Sequence, residues 1–133
     1  MRLFTVAEAN ALIPRIEERF ARLRTIRQAS QPAQEALARI ERGKRSNGAD
    51  HSQEIRELRS HLDTAIDQMN ALLAEIGELG CEVKDVESGL VDFPHQREGR
   101  VVYLCWRSGE DRIRFWHEVS TGFAGRQPLT SDE

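Results

Sequence analysis

EIRELRSHLDTAIDQMNALLAEIGELG, residues 54–80, is the stretch that decides the fold of this chain. Apolar side chains recur in it at alternating three- and four-residue spacings, and the charged residues lie off this seam. Such a heptad pattern is typical of an α-helix that packs along a second helix. Gly80 follows directly and favours a left-handed cap that ends the helix. The eight seam residues are Ile55, Leu58, Leu62, Ala65, Met69, Leu72, Ile76 and Leu79.

The chain before this segment carries the partner helix. Thr5 followed three residues later by Glu8 is a capping-box pattern, in which each side chain satisfies a free backbone amide. Ser30-Gln31-Pro32 interrupts the apolar periodicity and predicts a bend. A polar segment bracketed by glycines predicts a mobile turn near residues 43–50. Residues 1–79 are therefore predicted to form a long antiparallel helical hairpin.

A small antiparallel sheet is predicted for residues 80–128, which end in a C-terminal flap. Short β-rich segments separated by turn residues carry this prediction. Pro94 cannot donate a backbone hydrogen bond and is expected to end the second segment. We therefore predict one α+β domain over residues 1–133, with three or four strands. The β-rich segments are 81–86, 90–93, 100–107 and 113–118.

The last two predicted strands are expected to pair through a tight turn. Glycine at the first position of the pair 109–110 predicts a two-residue hairpin turn. That register places Tyr103 opposite Trp116, and it puts His117 on the same face as Trp106. Both faces then carry bulky side chains. One face should meet the helices, and the other should line a groove or a subunit interface.

Composition and charge exclude several classes of protein. The 133 residues carry a net charge of −3, and this balance does not favour binding to a nucleic-acid backbone. No apolar run is long enough for a transmembrane helix, and we expect no membrane association. No secretory leader pattern precedes Phe4. Two cysteines, Cys81 and Cys105, are too few for a disulfide scaffold, which predicts a reducing, cytoplasmic location.

Several short motifs resemble a known family. They are Phe4-Thr5, Glu8-Ala9-Asn10, Leu12-Ile13-Pro14, Val83-Lys84-Asp85, Gly89-Leu90-Val91-Asp92-Phe93-Pro94, Tyr103-Leu104-Cys105-Trp106-Arg107, Phe115-Trp116-His117 and Gly122-Phe123-Ala124-Gly125-Arg126. Together they resemble the bacterial domain-of-unknown-function family 2203, from Phe4 to about Pro128. The resemblance implies a small cytoplasmic prokaryotic protein, and it supplies no established activity or catalytic residue.

Polar residues in or beside these motifs are candidates for a ligand site. A carboxylate, an imidazole and arginines on neighbouring strands can bind an anion or perform acid–base chemistry. The same residues can instead be structural, as a hydrogen-bonded histidine, a turn-capping aspartate and salt-bridged arginines. The candidates are Asp92, Arg107, Glu110, His117, Glu118 and Arg126.

The sequence favours no metal and no cofactor. It contains no Cys-x-x-Cys, His-Glu-x-x-His or His-x-His spacing. Asp92, Cys105 and His117 are weak ligand candidates, since carboxylate, thiolate and imidazole suit zinc-like ions. Glu118 and His117 are adjacent in a strand and point to opposite faces, so they would not readily share an ion. Cys105 is expected to act as a small buried hydrophobe.

Two functions remain open on the sequence alone. The first is a non-catalytic interaction or scaffold protein that forms a homodimer through the helical seam and an aromatic sheet face. The alternative is a protein that binds a small molecule or anion, or an enzyme, with a groove around Asp92, Arg107, His117 and Arg126. The expected partner is a second copy in the first case and a small anionic ligand in the second.

Overall fold

Over residues 1–47 and 50–130, which the structure describes, the computed structural model has two long helices followed by a five-stranded antiparallel sheet. This architecture confirms the α+β prediction, with a fifth strand of two residues beyond the three or four expected. The strands lie in the sheet in chain order. The elements are α1 (Val6–Asn47), α2 (Ser52–Glu78), β1 (Glu82–Asp85), β2 (Leu90–Arg97), β3 (Arg100–Arg107), β4 (Phe115–His117) and β5 (Gln127–Pro128).

The chain divides into two structural units. The sheet unit consists of Met1–Phe20 and Leu73–Glu133, so it contains the sheet, the start of α1 and the end of α2. The helical unit is Ala21–Leu72 and contains the rest of both helices. Among the described residues, no helix is both long enough and apolar enough to cross a membrane.

The predicted capping box at the start of α1 is confirmed. The amide of Thr5 donates to Oε1 of Glu8 at 2.9 Å, and the amide of Glu8 donates to Oγ1 of Thr5 at 3.0 Å. Two backbone donors at the start of the helix are therefore satisfied reciprocally.

We expect Thr5→Ala to lower the free energy of unfolding by about 1 kcal/mol, because the Glu8 amide loses its acceptor. Urea denaturation monitored by circular dichroism measures this loss. Thr5→Ser retains the hydroxyl and is the matched control, with a smaller expected effect. Equal stability of wild type and Thr5→Ala would contradict this account of the helix start.

The helix α1 continues through Ser30-Gln31-Pro32 without a break. The buried Ser30 hydroxyl donates to the Arg27 carbonyl at 2.8 Å, so the polar group is satisfied inside the helix. α1 also passes Gly43 and ends at Asn47. A single glycine costs about 1 kcal/mol relative to alanine, which a helix of this length tolerates. The rest of the predicted turn, at Gly48 and Ala49, lies outside the described residues.

The expectation that β2 ends at Pro94 is wrong, because β2 runs to Arg97. β1 pairs only with the part of β2 from Leu90 to Asp92. On the β1 side of the sheet, no strand therefore needs a hydrogen bond from the position of Pro94, which has no backbone N–H. The Pro94 carbonyl there accepts a hydrogen bond from the Phe4 amide at 2.7 Å. The segment before α1 thus takes the place that a longer β1 would occupy.

The predicted register between β3 and β4 is also wrong. Tyr103 lies opposite His117 and Leu104 opposite Trp116, one residue away from the predicted pairing. The strands are joined by a longer loop, residues 108–114, in place of the two-residue turn. A shift of one residue moves every β4 side chain to the other face of the sheet.

This register defines the two faces of the sheet. The inner face packs against α1 and the segment before it. The Phe20 and Trp106 ring centroids are 6.5 Å apart, and those of Phe4 and Phe93 are 5.3 Å apart. The outer face lies on the opposite side. The inner face carries Val91, Phe93, Val102, Leu104, Trp106 and Trp116, and the outer face carries Asp92, Tyr103, Cys105, Phe115 and His117.

Candidate functional site

Three polar side chains are buried together on the outer face of the sheet. Asp92 on β2, Cys105 on β3 and His117 on β4 are 2%, 0% and 1% exposed. One potential ligand atom from each lies within 4.8 Å of the others. We call these three residues the buried cluster. Asp92 and Cys105 are directly paired across β2 and β3, and His117 reaches them from the next strand.

The hydrogen bonds of His117 determine which ring nitrogen carries a proton. Nδ1 lies 2.7 Å from the Glu118 carbonyl, which can only accept, so Nδ1 is protonated. Nε2 lies 3.0 Å from Oδ1 of Asp92. An imidazole lone pair and a carboxylate would repel each other at this distance. A proton, or another cation, must therefore lie between Nε2 and Asp92.

Burial sets the charge state of the other two members. It raises the pKa of Asp92 above its usual range, although the hydrogen bond to His117 acts in the opposite direction. Burial also raises the pKa of the Cys105 thiol to about 11. Cys105 is therefore a neutral thiol at pH 7, and it can donate to the Asp92 carboxylate. Such a thiol is a poor nucleophile.

Arg126 forms a second polar arrangement beside the cluster. Its guanidinium donates two hydrogen bonds to the Glu110 carboxylate, at 2.7 and 3.1 Å, and one to the Cys105 carbonyl at 3.1 Å. The guanidinium carbon also lies 4.3 Å from the ring centroid of Phe115 and 4.6 Å from that of Phe123. Although burial acts to lower the pKa of Arg126, the hydrogen bonds to Glu110 raise it overall.

The remaining two candidates lie apart from the cluster. Arg107 is exposed, and its guanidinium is 5.5 Å from the Phe123 ring centroid. The Glu118 carboxylate accepts hydrogen bonds from Arg100, the shorter at 2.7 Å, and these bonds lower its pKa. The structure therefore brings Asp92 to His117 and Glu110 to Arg126, and it directs the Glu118 side chain to Arg100.

An open depression in the sheet unit lies apart from these candidates. It is an open region of about 690 Å³, lined by residues from the start of α1, the loop before β4 and the chain after β5. Within the described parts of the chain, none of the six candidate residues lines it. Its lining residues include Asn10, Arg112, Phe115 and Leu129. The residues of the predicted groove, Asp92, Arg107, His117 and Arg126, therefore lie outside the lining of this depression.

Two α1 residues that hold the β3–β4 loop were not identified as important from the sequence. Oε1 of Glu17 accepts a hydrogen bond from the Ser108 hydroxyl at 2.5 Å, and Oε2 accepts one from the Gly109 amide at 3.2 Å. Oδ1 of Asn10 accepts one from the Ile113 amide at 2.8 Å. These contacts join residues about a hundred positions apart. Only the motif that contains Asn10 gave any signal in the sequence.

Comparison with known proteins gives one match. No curated protein and no solved structure matches this chain. A family model described as an uncharacterized conserved protein, DUF2203, matches residues 2–129 of the 133. This match covers almost the whole chain, including both helices and the five described strands. The chain therefore belongs to the DUF2203 family.

Proposed function

We propose that this protein is a non-catalytic interaction or scaffold protein that forms a homodimer through its helical unit. The observation that carries the proposal is the exposure of the aliphatic seam in that unit. On α2, Ile55, Leu58, Leu62 and Met69 are only half-buried. Ile66, beside the seam, is 50% exposed.

The residues that are buried within the helical unit are mostly small. Two are alanines and one is a serine, so they add little apolar area to a core. Two packed helices cover only one side of each seam, whereas a second pair would cover the other side and complete a four-helix bundle. Among the residues of this unit whose burial the structure describes, the buried ones are Leu23, Ser30, Ala33, Ala65 and Leu72.

Charge supports a second copy as the partner. Residues 21–47 of α1 contain seven Lys/Arg and two Glu, a net of +5. Residues 50–72 contain two Arg and five Asp/Glu, a net of −3. In a two-fold dimer that sets α1 of one copy beside α2 of the other, these charges attract. The same attraction operates within one chain, where Arg59 lies 3.4 Å from Glu41.

The alternative of a ligand-binding protein or enzyme has less support. The acidic candidates are already paired within the protein, with Asp92 bonded to His117, Glu110 to Arg126 and Glu118 to Arg100. The basic partners in these pairs, His117, Arg126 and Arg100, are therefore already bonded to carboxylates of the protein and are less available to an anionic ligand. Both cysteines are buried free thiols, which is consistent with a cytoplasmic location.

Light scattering coupled to size exclusion tests the homodimer. We expect a mass of about 30 kDa, twice the 15.2 kDa of one chain. Ile66→Asp places a charge beside the seam on a side chain that is half exposed in the monomer, so it should weaken association at least about tenfold, or 1.4 kcal/mol.

Ser60→Asp is the matched control. Ser60 is exposed on the side of α2 opposite the seam, and the substitution adds the same charge as Ile66→Asp. It should leave the dimer intact. Circular dichroism should show equal helix content in both variants. A single 15 kDa species for the wild type at high protein concentration would remove the basis of the scaffold proposal.

A further inference from the structure

The sequence spacing favoured no metal, but the geometry of the buried cluster points the other way. We propose that Asp92, Cys105 and His117 bind one divalent transition-metal ion of the zinc class. The three ligands would be a carboxylate oxygen, a thiolate sulfur and the Nε2 atom of an imidazole. This set suits zinc and cobalt, which accept carboxylate oxygen, imidazole nitrogen and thiolate sulfur as ligands.

The first support is convergence from separate strands. The three side chains come from β2, β3 and β4, and their ligand atoms lie within 4.8 Å of one another. Neighbouring ligands in a tetrahedral zinc site are about 3–4 Å apart, given metal–ligand distances of roughly 2.0–2.3 Å. Small side-chain rotations would bring these three atoms to that spacing. Ligands on adjacent strands need no motif of closely spaced residues, which explains why the sequence gives no spacing signal.

The second support is the orientation of His117. Its Nδ1 donates to the Glu118 carbonyl at 2.7 Å, which directs Nε2 to Asp92 and Cys105. Metal-bound histidines commonly donate their second nitrogen to a carbonyl or carboxylate in this way, and this bond fixes the ring orientation. The imidazole is therefore held in the tautomer and direction that a metal requires.

The third support is charge balance in a buried place. An aspartate and a cysteine thiolate together carry two negative charges, which neutralise a divalent cation. Without a metal, two protons do the same: the thiol proton, and the proton between His117 and Asp92. Metal binding would exchange these two protons for one ion, with no net change in charge. The nearby charge of Arg126 is compensated by its two bonds to Glu110.

Three protein ligands leave one tetrahedral position for water or another small ligand. Tyr103 is an aromatic neighbour of the cluster, with its ring centroid 5.6 Å from that of His117. The Lys84 ammonium lies 5.3 Å from the Tyr103 ring centroid. Tyr103 is half-buried, whereas the three cluster residues beside it are buried.

Cobalt(II) titration of the reduced full-length protein tests the site. We expect one cobalt per chain, with the intense visible absorption of a tetrahedral ion and a near-ultraviolet charge-transfer band from a thiolate. Zinc should displace cobalt and abolish both signals. Zinc should also raise the melting temperature of the wild type, because an ion that binds the folded state stabilises it.

The two cysteines provide matched variants. Cys105→Ser should lose the charge-transfer band and the zinc-dependent rise in melting temperature. Cys81→Ser should retain both, since Cys81 lies before β1 and donates to the Ile76 carbonyl at 3.3 Å. Circular dichroism establishes that each variant is folded. His117→Gln should weaken cobalt binding by more than about 100-fold. This effect is larger than that expected when a metal ligand loses only a hydrogen bond that supports it.

Two results would overturn the proposal. One is the absence of a cobalt spectrum and of a zinc-dependent melting shift in the reduced wild-type protein. The other is a cobalt spectrum that Cys105→Ser retains or Cys81→Ser abolishes, which would assign the binding to other residues. Ile66→Asp should bind cobalt as the wild type does, so failure of the dimer and failure of the metal site are separable.

Discussion

Replacing Trp106 with alanine should lower the free energy of unfolding by about 3–5 kcal/mol, the largest effect expected for any single change in this protein. Trp106 is fully buried on the inner face, where its ring packs near Phe20. Its Nε1 donates to the Glu110 carbonyl at 3.0 Å. The substitution therefore leaves a large cavity and removes a hydrogen bond that holds the loop after β3.

Thermal unfolding measures this loss, with an expected decrease in melting temperature of roughly 10–20 °C. Trp116→Phe is the control for removing an indole N–H. Trp116 is also buried, and among the described residues its Nε1 has no hydrogen-bond partner. Its replacement should cost less than that of Trp106, because phenylalanine retains one ring, leaves a smaller cavity and removes no hydrogen bond. A Trp106→Ala protein that melts like the wild type would refute the assignment of the inner face as the core.

Replacing Arg126 with glutamine should lower the free energy of unfolding by about 2–3 kcal/mol. The Arg126 and Glu110 side chains are 13% and 21% exposed, so the remaining carboxylate would be poorly solvated. The contacts of the guanidinium with Phe115 and Phe123 would also be lost. Urea denaturation of the purified variant measures the effect.

A double-mutant cycle measures the interaction energy between Arg126 and Glu110, separately from their contacts with other residues. Arg126→Gln and Glu110→Gln combined should cost less than the sum of the single changes, by at least about 1 kcal/mol. Arg114→Gln is the exposed counterpart, because Arg114 and Asp111 are 49% and 72% exposed, and it should leave the unfolding curve unchanged. If Arg126→Gln were as stable as the wild type, Arg126 would again be a candidate for ligand binding.

Local patterns were sufficient to predict the helices and the class of the fold. The heptad seam of α2 predicted a helix that packs within the chain, and all eight seam residues are buried or half-buried. Thr5 and Glu8 predicted the start of α1 through neighbouring atoms alone. Gly80 follows α2 with a φ of 103°, as its predicted capping role requires. These features depend on residues within a few positions of one another.

The β3–β4 register could not be predicted because distant residues determine it. The loop 108–114 is held by Glu17 and Asn10 from α1 and by Arg126 from the end of the chain. The Glu110 carboxylate also accepts a hydrogen bond from the Arg107 amide at 2.6 Å, beside the backbone bond of the turn in which the Glu110 amide donates to the Arg107 carbonyl at 3.0 Å. A rule based on glycine position alone considers none of these contacts.

The wrong β3–β4 register also affects the prediction of the candidate site. The sequence named Asp92, Cys105 and His117, but it placed His117 on the face opposite Cys105. The observed register puts all three on one face. Arg126 and Glu110 are sixteen positions apart, and they pair through a loop whose path the sequence does not specify. Candidate residues were therefore predictable by type, whereas their grouping was not.

The hydrogen bonds between the Phe4 backbone and β2 have a consequence for the order of folding. His95 and Phe4 are 91 positions apart, so the sheet unit must close a long loop before its core is complete. The helical unit is one continuous segment, so we expect its more local contacts to form earlier and faster. On the ribosome, residues 21–72 emerge before any residue of the sheet. We therefore expect the surface proposed for dimerisation to form first, so that two nascent chains can pair before either has a finished sheet.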